Sequence, residues 1–236
     1  MSSSPPGFPV DGSDAPLAAL SRLAVAEHAG HDPRHALEQV VRVARETLPG
    51  AASVSVTLLR GTRPSSPAAS DGLALRCDER QYDVGDGPCL EAARQSHIVS
   101  VPDLTDEERW PAYSAYAQQE GVRSSLSIPI APQQSILGAL NVYFTQPRAL
   151  APDAVVLAHA FAAHAAVAVA STVVRQMEEA METRAVIEQA KGILMTQRHC
   201  DPDEAFRVLV RASTRNNRKL REIAGEIVEA VQATSG

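Results

Sequence analysis

Proline and glycine punctuation stops abruptly in this chain. Fifteen of its sixteen prolines lie at or before Pro152, and after Gly138 the only glycines are Gly192, Gly225 and the terminal Gly236. Proline removes a backbone donor and glycine costs order in a regular element, so both mark turns and strand edges. The first 150 or so residues can therefore build a sheet with many turns. The rest must be almost entirely helical.

Charge divides the same way. Residues 1–183 hold 13 Lys and Arg against 21 Asp and Glu, whereas residues 184–236 hold 9 against 7. Ala205 to Arg221 carries six basic residues and no acidic one. A cationic helical surface at the end of an acidic chain points to a polyanion. The three cysteines are far apart and form no C-x-x-C pair, which indicates neither a disulfide framework nor a zinc site and fits a reducing, cytoplasmic setting. Residues 1–16 lack the basic flank and apolar core of a secretory signal and read as a disordered tail. Ala154 to Ala170 is interrupted only by His159 and His164 but runs directly into a charged helix, so no membrane span is expected.

Along the chain, Leu17 to Leu48 reads as one or two helices broken around Gly30 to Pro33, with Leu37, Val40, Val41, Ala44 and Leu48 on one stripe. Val54, Val56 and Leu58 alternate with Ser53, Ser55 and Thr57 as in a half-buried strand. Leu73, Leu75 and Cys77 repeat that alternation after a Pro/Ser loop, and a second loop at Tyr82 to Pro88 leads into a short helix. Ile98 to Val101 reads as a strand and Glu107 to Gln119 as a helix. Two longer strands flank a turn at Ala131 to Gln134. The expected fold is α+β: an antiparallel sheet of five or six strands with flanking helices, a long linking helix and a C-terminal bundle of three helices.

From Pro152 the spacing changes. Val156, Ala160, Ala163, Val167, Ala170, Val174, Met177 and Met181 follow the 4-3 pattern of a coiled-coil seam. Over Val156 to Val167 packing on the protein's own sheet is the preferred expectation, and over Val174, Met177 and Met181, flanked by Arg175, Glu178, Glu179 and Glu182, pairing of two protomers. Ile187, Ala190, Ile193 and Leu194 give the first bundle helix its apolar face. Asp201, Pro202 and Glu204 form a helix start, and Asn217 is a candidate cap for the third helix.

No paired acid, base and nucleophile stands out, Gly85 and Gly87 are not followed by a phosphate-loop Gly-Lys-Ser/Thr, and a non-enzymatic, cofactor-free protein is expected. Arg207, Arg211 and Arg215, four apart, share a helix face, with Arg218, Lys219 and Arg221 following. Gly192 and Gly225 within helices suit either a tight helix crossing or close contact with nucleic acid.

The series Arg184, Val186-Ile187-Glu188-Gln189-Ala190-Lys191-Gly192-Ile193-Leu194-Met195, then Ala205-Phe206, Leu209, Ala212-Ser213 and Asn217-Arg218-Lys219-Leu220 with Ala224 closely resembles the ANTAR domain, a family of three-helix RNA-binding modules of bacterial transcription antiterminators. One departure is Val210, where many members carry a basic residue. Tyr82-Asp83-Val84-Gly85-Asp86-Gly87-Pro88-Cys89-Leu90-Glu91-Ala92 is similar to a segment of GAF domains in GAF-ANTAR regulators of actinobacteria. The resemblance implies a GAF-like sensor domain over 17–172, a coiled-coil linker helix over 173–183 and an RNA-binding unit over 184–236. It implies binding to stem-loops in nascent transcripts, which prevents a terminator from forming. Expected RNA contacts are Lys191, Arg211, Arg215, Arg218 and Lys219 to phosphates, Gln189, Ser213 and Asn217 as polar contacts, and Gly192 as a close approach. Cys77, Cys89, His97, Trp110 and Tyr113 are the expected lining of a small-molecule pocket, with core packing as the alternative for each. The competing functions are a DNA-binding regulator and a signalling sensor that binds proteins only.

Overall fold

The computed structural model describes residues 32–133, 136–149 and 151–234, together with Ala18, Leu20, Ser21 and Leu23. The expected tail and most of the first helical stretch lie outside the described residues. The chain divides into two compact units, residues 1–172 and 173–236.

In the first unit, helix α1 (Pro33–Thr47) starts at Asp32, whose side chain accepts from the Arg34 N–H, and buries the expected stripe of Leu37, Val40, Val41 and Ala44, followed by Leu48. Strands β1 (Ala51–Arg60) and β2 (Arg63–Ala69) form a hairpin, followed by helices α2 (Gly72–Val84) and α3 (Pro88–Gln95). Strand β3 (Val99–Val101), helix α4 (Pro111–Gln119) and strands β4 (Ser124–Gln133) and β5 (Ile136–Phe144) complete the domain. The sheet order is β2-β1-β5-β4-β3 with every pairing antiparallel.

Four expectations are corrected here. The Pro/Ser stretch is not a loop but the edge strand β2, where Pro64 and Pro67 are tolerated because one side of an edge strand needs no ladder donors. Leu73 to Cys77 is not a strand but the first part of α2, since Asp71 accepts from the Leu73 and Ala74 N–H groups at 3.1 and 3.2 Å and starts a helix there. Tyr82 to Val84 belongs to the same helix. Ala131 to Gln133 continues β4 rather than turning.

Strand β1 is also not half-buried. Val54 and Val56 are fully buried, but Ser53, Ser55 and Thr57 on the opposite face are buried as well. They can stay there because they find partners: the Ser53 hydroxyl donates to Asp71, and Thr57 pairs with the Tyr82 hydroxyl at 2.9 Å.

Helix α5 (Pro152–Arg198) is continuous over 47 residues. Its buried stripe is Ala154, Ala158, Phe161, Ala162, Ala165, Ala168, Val169 and Val173. This corrects the expectation for the first half of the 4-3 seam: Val156 is 71 % and Val167 49 % exposed. With alanine all round this helix, the two larger valines chose the wrong side, and Phe161 marks the right one. By length and composition α5 is apolar enough to cross a membrane, but this inward stripe is that of a core helix of a globular domain.

In the second unit, the end of α5 joins helices α6 (Pro202–Asn216) and α7 (Leu220–Thr234) around Ala190, Leu194, Ala205, Leu209, Ile223 and Ala224, none more than 6 % exposed. Asp201 caps α6, accepting from the Glu204 N–H at 2.7 Å, with Pro202 in the first turn. Asn217 does not cap α7; it ends α6 in the left-handed conformation at φ 50°, a geometry its short polar side chain tolerates.

Candidate functional site

Two regions hold the expected functional residues. In the second unit, burial of Ala205 and Leu209 turns the opposite side of α6 to water, so Arg207, Arg211 and Arg215 run exposed along it. Phe206 and Val210, at 41 % and 40 % exposure, form a parallel stripe.

Most of these cations already have carboxylate partners from outside the acid-free window. Glu204 receives Arg207 at 2.8 Å and Arg211 at 2.6 Å, which holds its carboxyl below the usual range through hydrogen bonds from Arg211 and then Arg207. Arg218 contacts Glu226 at 2.6 Å and Glu222 at 3.5 Å. Lys191 lies on Glu188 at 2.9 Å with its side chain only 17 % exposed. Among the described residues Arg215, Lys219 and Arg221 form no ion pair, so they are the uncommitted cations of the basic run.

The polar candidates are partly used by the fold. The Ser213 hydroxyl donates to the Arg218 carbonyl and so ties the end of α6 to the connection. Asn217 makes the turn itself. Gln189 and Gly192 line an open groove of about 580 Å³ with Ile193, Thr196, Gln197, Val228 and Val231. A Cβ added at Gly192 or Gly225 would meet nothing within 4 Å, so neither glycine serves a tight helix crossing.

In the first unit, Cys77, Cys89, Trp110 and Tyr113 come together in one core cluster with Ala139 and Tyr143. His97 does not join them; it lies on the surface beside Glu91 at 3.1 Å. At the centre is Asp78, which the sequence reading missed: fully buried, it accepts from the Ser66 hydroxyl at 2.6 Å, the Tyr143 hydroxyl and the Asn141 amide at 3.2 Å. The signal that could have found it is the serine face of β1, too polar for a core unless something answers it. Burial pushes the Asp78 carboxyl up to about 6, against the opposing pull of these donors.

Gln81 completes the network. Its carbonyl accepts from the Cys89 N–H at 2.8 Å and its amide donates to the Tyr143 hydroxyl and the Cys77 carbonyl, both at 3.3 Å. The side chain fits because residue 87 is glycine: at φ 148° a Cβ there would sit 2.5 Å from Gln81 Cγ. Burial raises the Cys77 thiol to about 12 and the Cys89 thiol well above its ordinary value. Both stay protonated near neutrality, the less nucleophilic form.

A five-stranded antiparallel sheet with a polar, helix-covered inner face is the architecture of a GAF domain, and solved GAF structures share it. The GAF domain of a phosphoenolpyruvate-protein phosphotransferase from Coxiella burnetii superposes with TM-score 0.56 at 20 % identity, over 71 % of this chain and 99 % of that one. The phycocyanobilin-bound GAF domain of a cyanobacterial phytochrome gives 0.53 at 17 % identity, over 68 % and 96 %. The reduced form of fRMsr of Staphylococcus aureus gives 0.52 at 13 % identity, over 65 % and 94 %. No curated protein matches the sequence.

The GAF domain family model matches residues 30–170 and the ANTAR domain model residues 175–228. The chain belongs to the GAF domain family and, with its ANTAR domain, is a GAF-ANTAR regulator. GAF and ANTAR are regulatory domains; the first is sensory and the second binds RNA.

Proposed function

We propose that this protein is a cytoplasmic, non-enzymatic antitermination regulator: its ANTAR unit binds hairpins in nascent transcripts and thereby prevents a terminator from forming, under control of the GAF domain. The observation that carries this reading is the cationic surface of α6 and the α6–α7 connection, where Arg215 and Lys219 stand uncommitted beside Arg211 and Arg218. Cations of this kind hold phosphates, and the unstacked bases of RNA loops supply the sequence to be read. Lys191, Gln189, Gly192, Ser213 and Asn217 are assigned to RNA contact on the strength of the family motif.

Two protomers pair in this reading through the linker segment over 173–183. Val174, Met177 and Met181 are 55 %, 51 % and 70 % exposed, at coiled-coil spacing and flanked by charge. The control input is a small molecule that reaches the cluster of Cys77, Cys89, Trp110 and Tyr113.

The test is crosslinking in the native host followed by sequencing of bound RNA, with hairpins upstream of terminators as the expected enrichment. In vitro, Arg215→Ala and Lys219→Ala should each weaken hairpin binding and flatten its salt dependence by about one unit of slope. DNA is the second reading, because the three-residue connection Asn217–Lys219 has the length of a helix-turn-helix turn. Equal affinity for random duplex DNA and hairpin RNA would favour it and count against the first.

A further inference from the structure

Three phenylalanines lie among the described residues. Phe144 and Phe161 are 1 % and 0 % exposed, whereas Phe206 is 41 % exposed on α6. A single apolar residue at a surface needs no explanation. Phe206 is not single: Val210 follows it by one helical turn at 40 % exposure, and Ser213 and Asn217 continue the same stripe. One position over, Arg207, Arg211 and Arg215 run parallel to it, each about 6 Å along the axis from the next. One side of α6 thus carries an aromatic face, an apolar neighbour and a line of cations.

That combination has a chemical counterpart. A protein partner docking on Phe206 and Val210 would have to desolvate Arg215, which has no carboxylate partner, together with the Glu204 pairs of Arg207 and Arg211 beside it. An unpaired nucleotide meets both halves at once, because its base stacks on the ring and its phosphate reaches the guanidinium groups. Duplex bases are already stacked and offer no face, so the occupant is single-stranded, as in a hairpin loop. Asp203 precedes Phe206 by about one turn and opposes a phosphate there, which directs the strand toward Arg211, Arg215 and Lys219.

We infer that Phe206 is a stacking platform for an unpaired base of an RNA loop, with Val210 extending the platform, Arg215 holding the adjoining phosphate, and Arg207 and Arg211 doing so only in exchange for Glu204. This rests on the reading of the ANTAR unit as an RNA binder and adds the residue that distinguishes a loop from a stem.

The experiment uses the full chain and two hairpin RNAs of equal charge, followed by fluorescence anisotropy. One has a loop randomised in sequence; the other has the same stem closed by abasic residues. The native chain should bind the first more tightly. Phe206→Ala should remove that preference, a loss of about five- to one-hundredfold, and leave the abasic hairpin unaffected. Phe206→Trp should retain the preference, and Phe206→Leu, which keeps apolar bulk without a π face, should not. The inference is overturned if Phe206→Leu binds like the native chain, if Phe206→Ala weakens both hairpins equally, or if the native chain shows no preference for the loop with bases. Failure of the native chain to bind either hairpin would remove the RNA reading itself, a result distinct from binding without base preference.

Discussion

Arg211 and Glu204 meet at 2.6 Å across two turns of α6, and the same carboxylate holds Arg207 on its other oxygen. The protein therefore neutralises part of its own basic surface. Phosphates must compete with Glu204 for both guanidinium groups. Glu204→Gln should strengthen hairpin RNA binding by no more than a few-fold, since exposed pairs are weak, and should steepen its salt dependence as two more cations become available. Titrations of both forms over a salt series check this; unchanged slope would show that Glu204 does not compete.

The Asp78 carboxyl gives the GAF domain a pH signature. Its folded-state value is raised to about 6 from an ordinary 3.8, so the folded state binds a proton that the unfolded chain has released between these values. Stability from this group is complete below pH 4 and is lost as pH rises through 6, by on the order of a few kcal/mol. Thermal melts of the native chain and Asp78→Asn between pH 4 and 7 should show the decline in the first and a flatter profile in the second. Parallel profiles would assign the effect elsewhere.

Gly87 should resist substitution. Its φ of 148° and ψ of 170° fall in a region that only glycine populates readily, and a Cβ would strike Gln81. Gly87→Ala should lower stability by on the order of 1–3 kcal/mol, through backbone strain and loss of the Gln81 bond to the Cys89 N–H. Gly192→Ala should do the reverse and raise stability by up to about 1 kcal/mol, because the helix gains propensity and the new methyl meets nothing. Denaturant unfolding of the two variants compares the signs directly.

A coiled coil through the linker makes Met181, 70 % exposed, a position where charge should be disruptive. Met181→Glu is expected to shift the protein from dimer to monomer in sedimentation velocity while leaving the melt of the GAF domain in place. A monomeric native chain, or a dimer indifferent to this change, would remove the linker pairing.

The two-regime layout was readable from where proline and glycine stop, and the start of α6 from Asp201, Pro202 and Glu204, because these signals act within one turn of chain. Patterns whose meaning depends on distant partners were not. Leu73, Leu75 and Cys77 alternate over too few residues to separate strand from helix, and the deciding group is the Asp71 side chain. The acid-free window from Ala205 to Arg221 looked uncompensated only because Glu204, Glu222 and Glu226 lie just beyond it. Asp78 was invisible for the same reason: its donors come from β2 and β5, and no local spacing announces that three elements converge on one carboxylate.

The inner face of the GAF sheet is occupied by the protein's own groups, with Gln81 bonded to residues on three sides and Asp78 held by three donors. Any molecule that enters must first evict a side chain and replace the bonds it made. In the proposed reading, a small molecule that reached Gln81 and Asp78 would act by exchange, and its threshold would depend on how well it imitates an amide or a carboxylate.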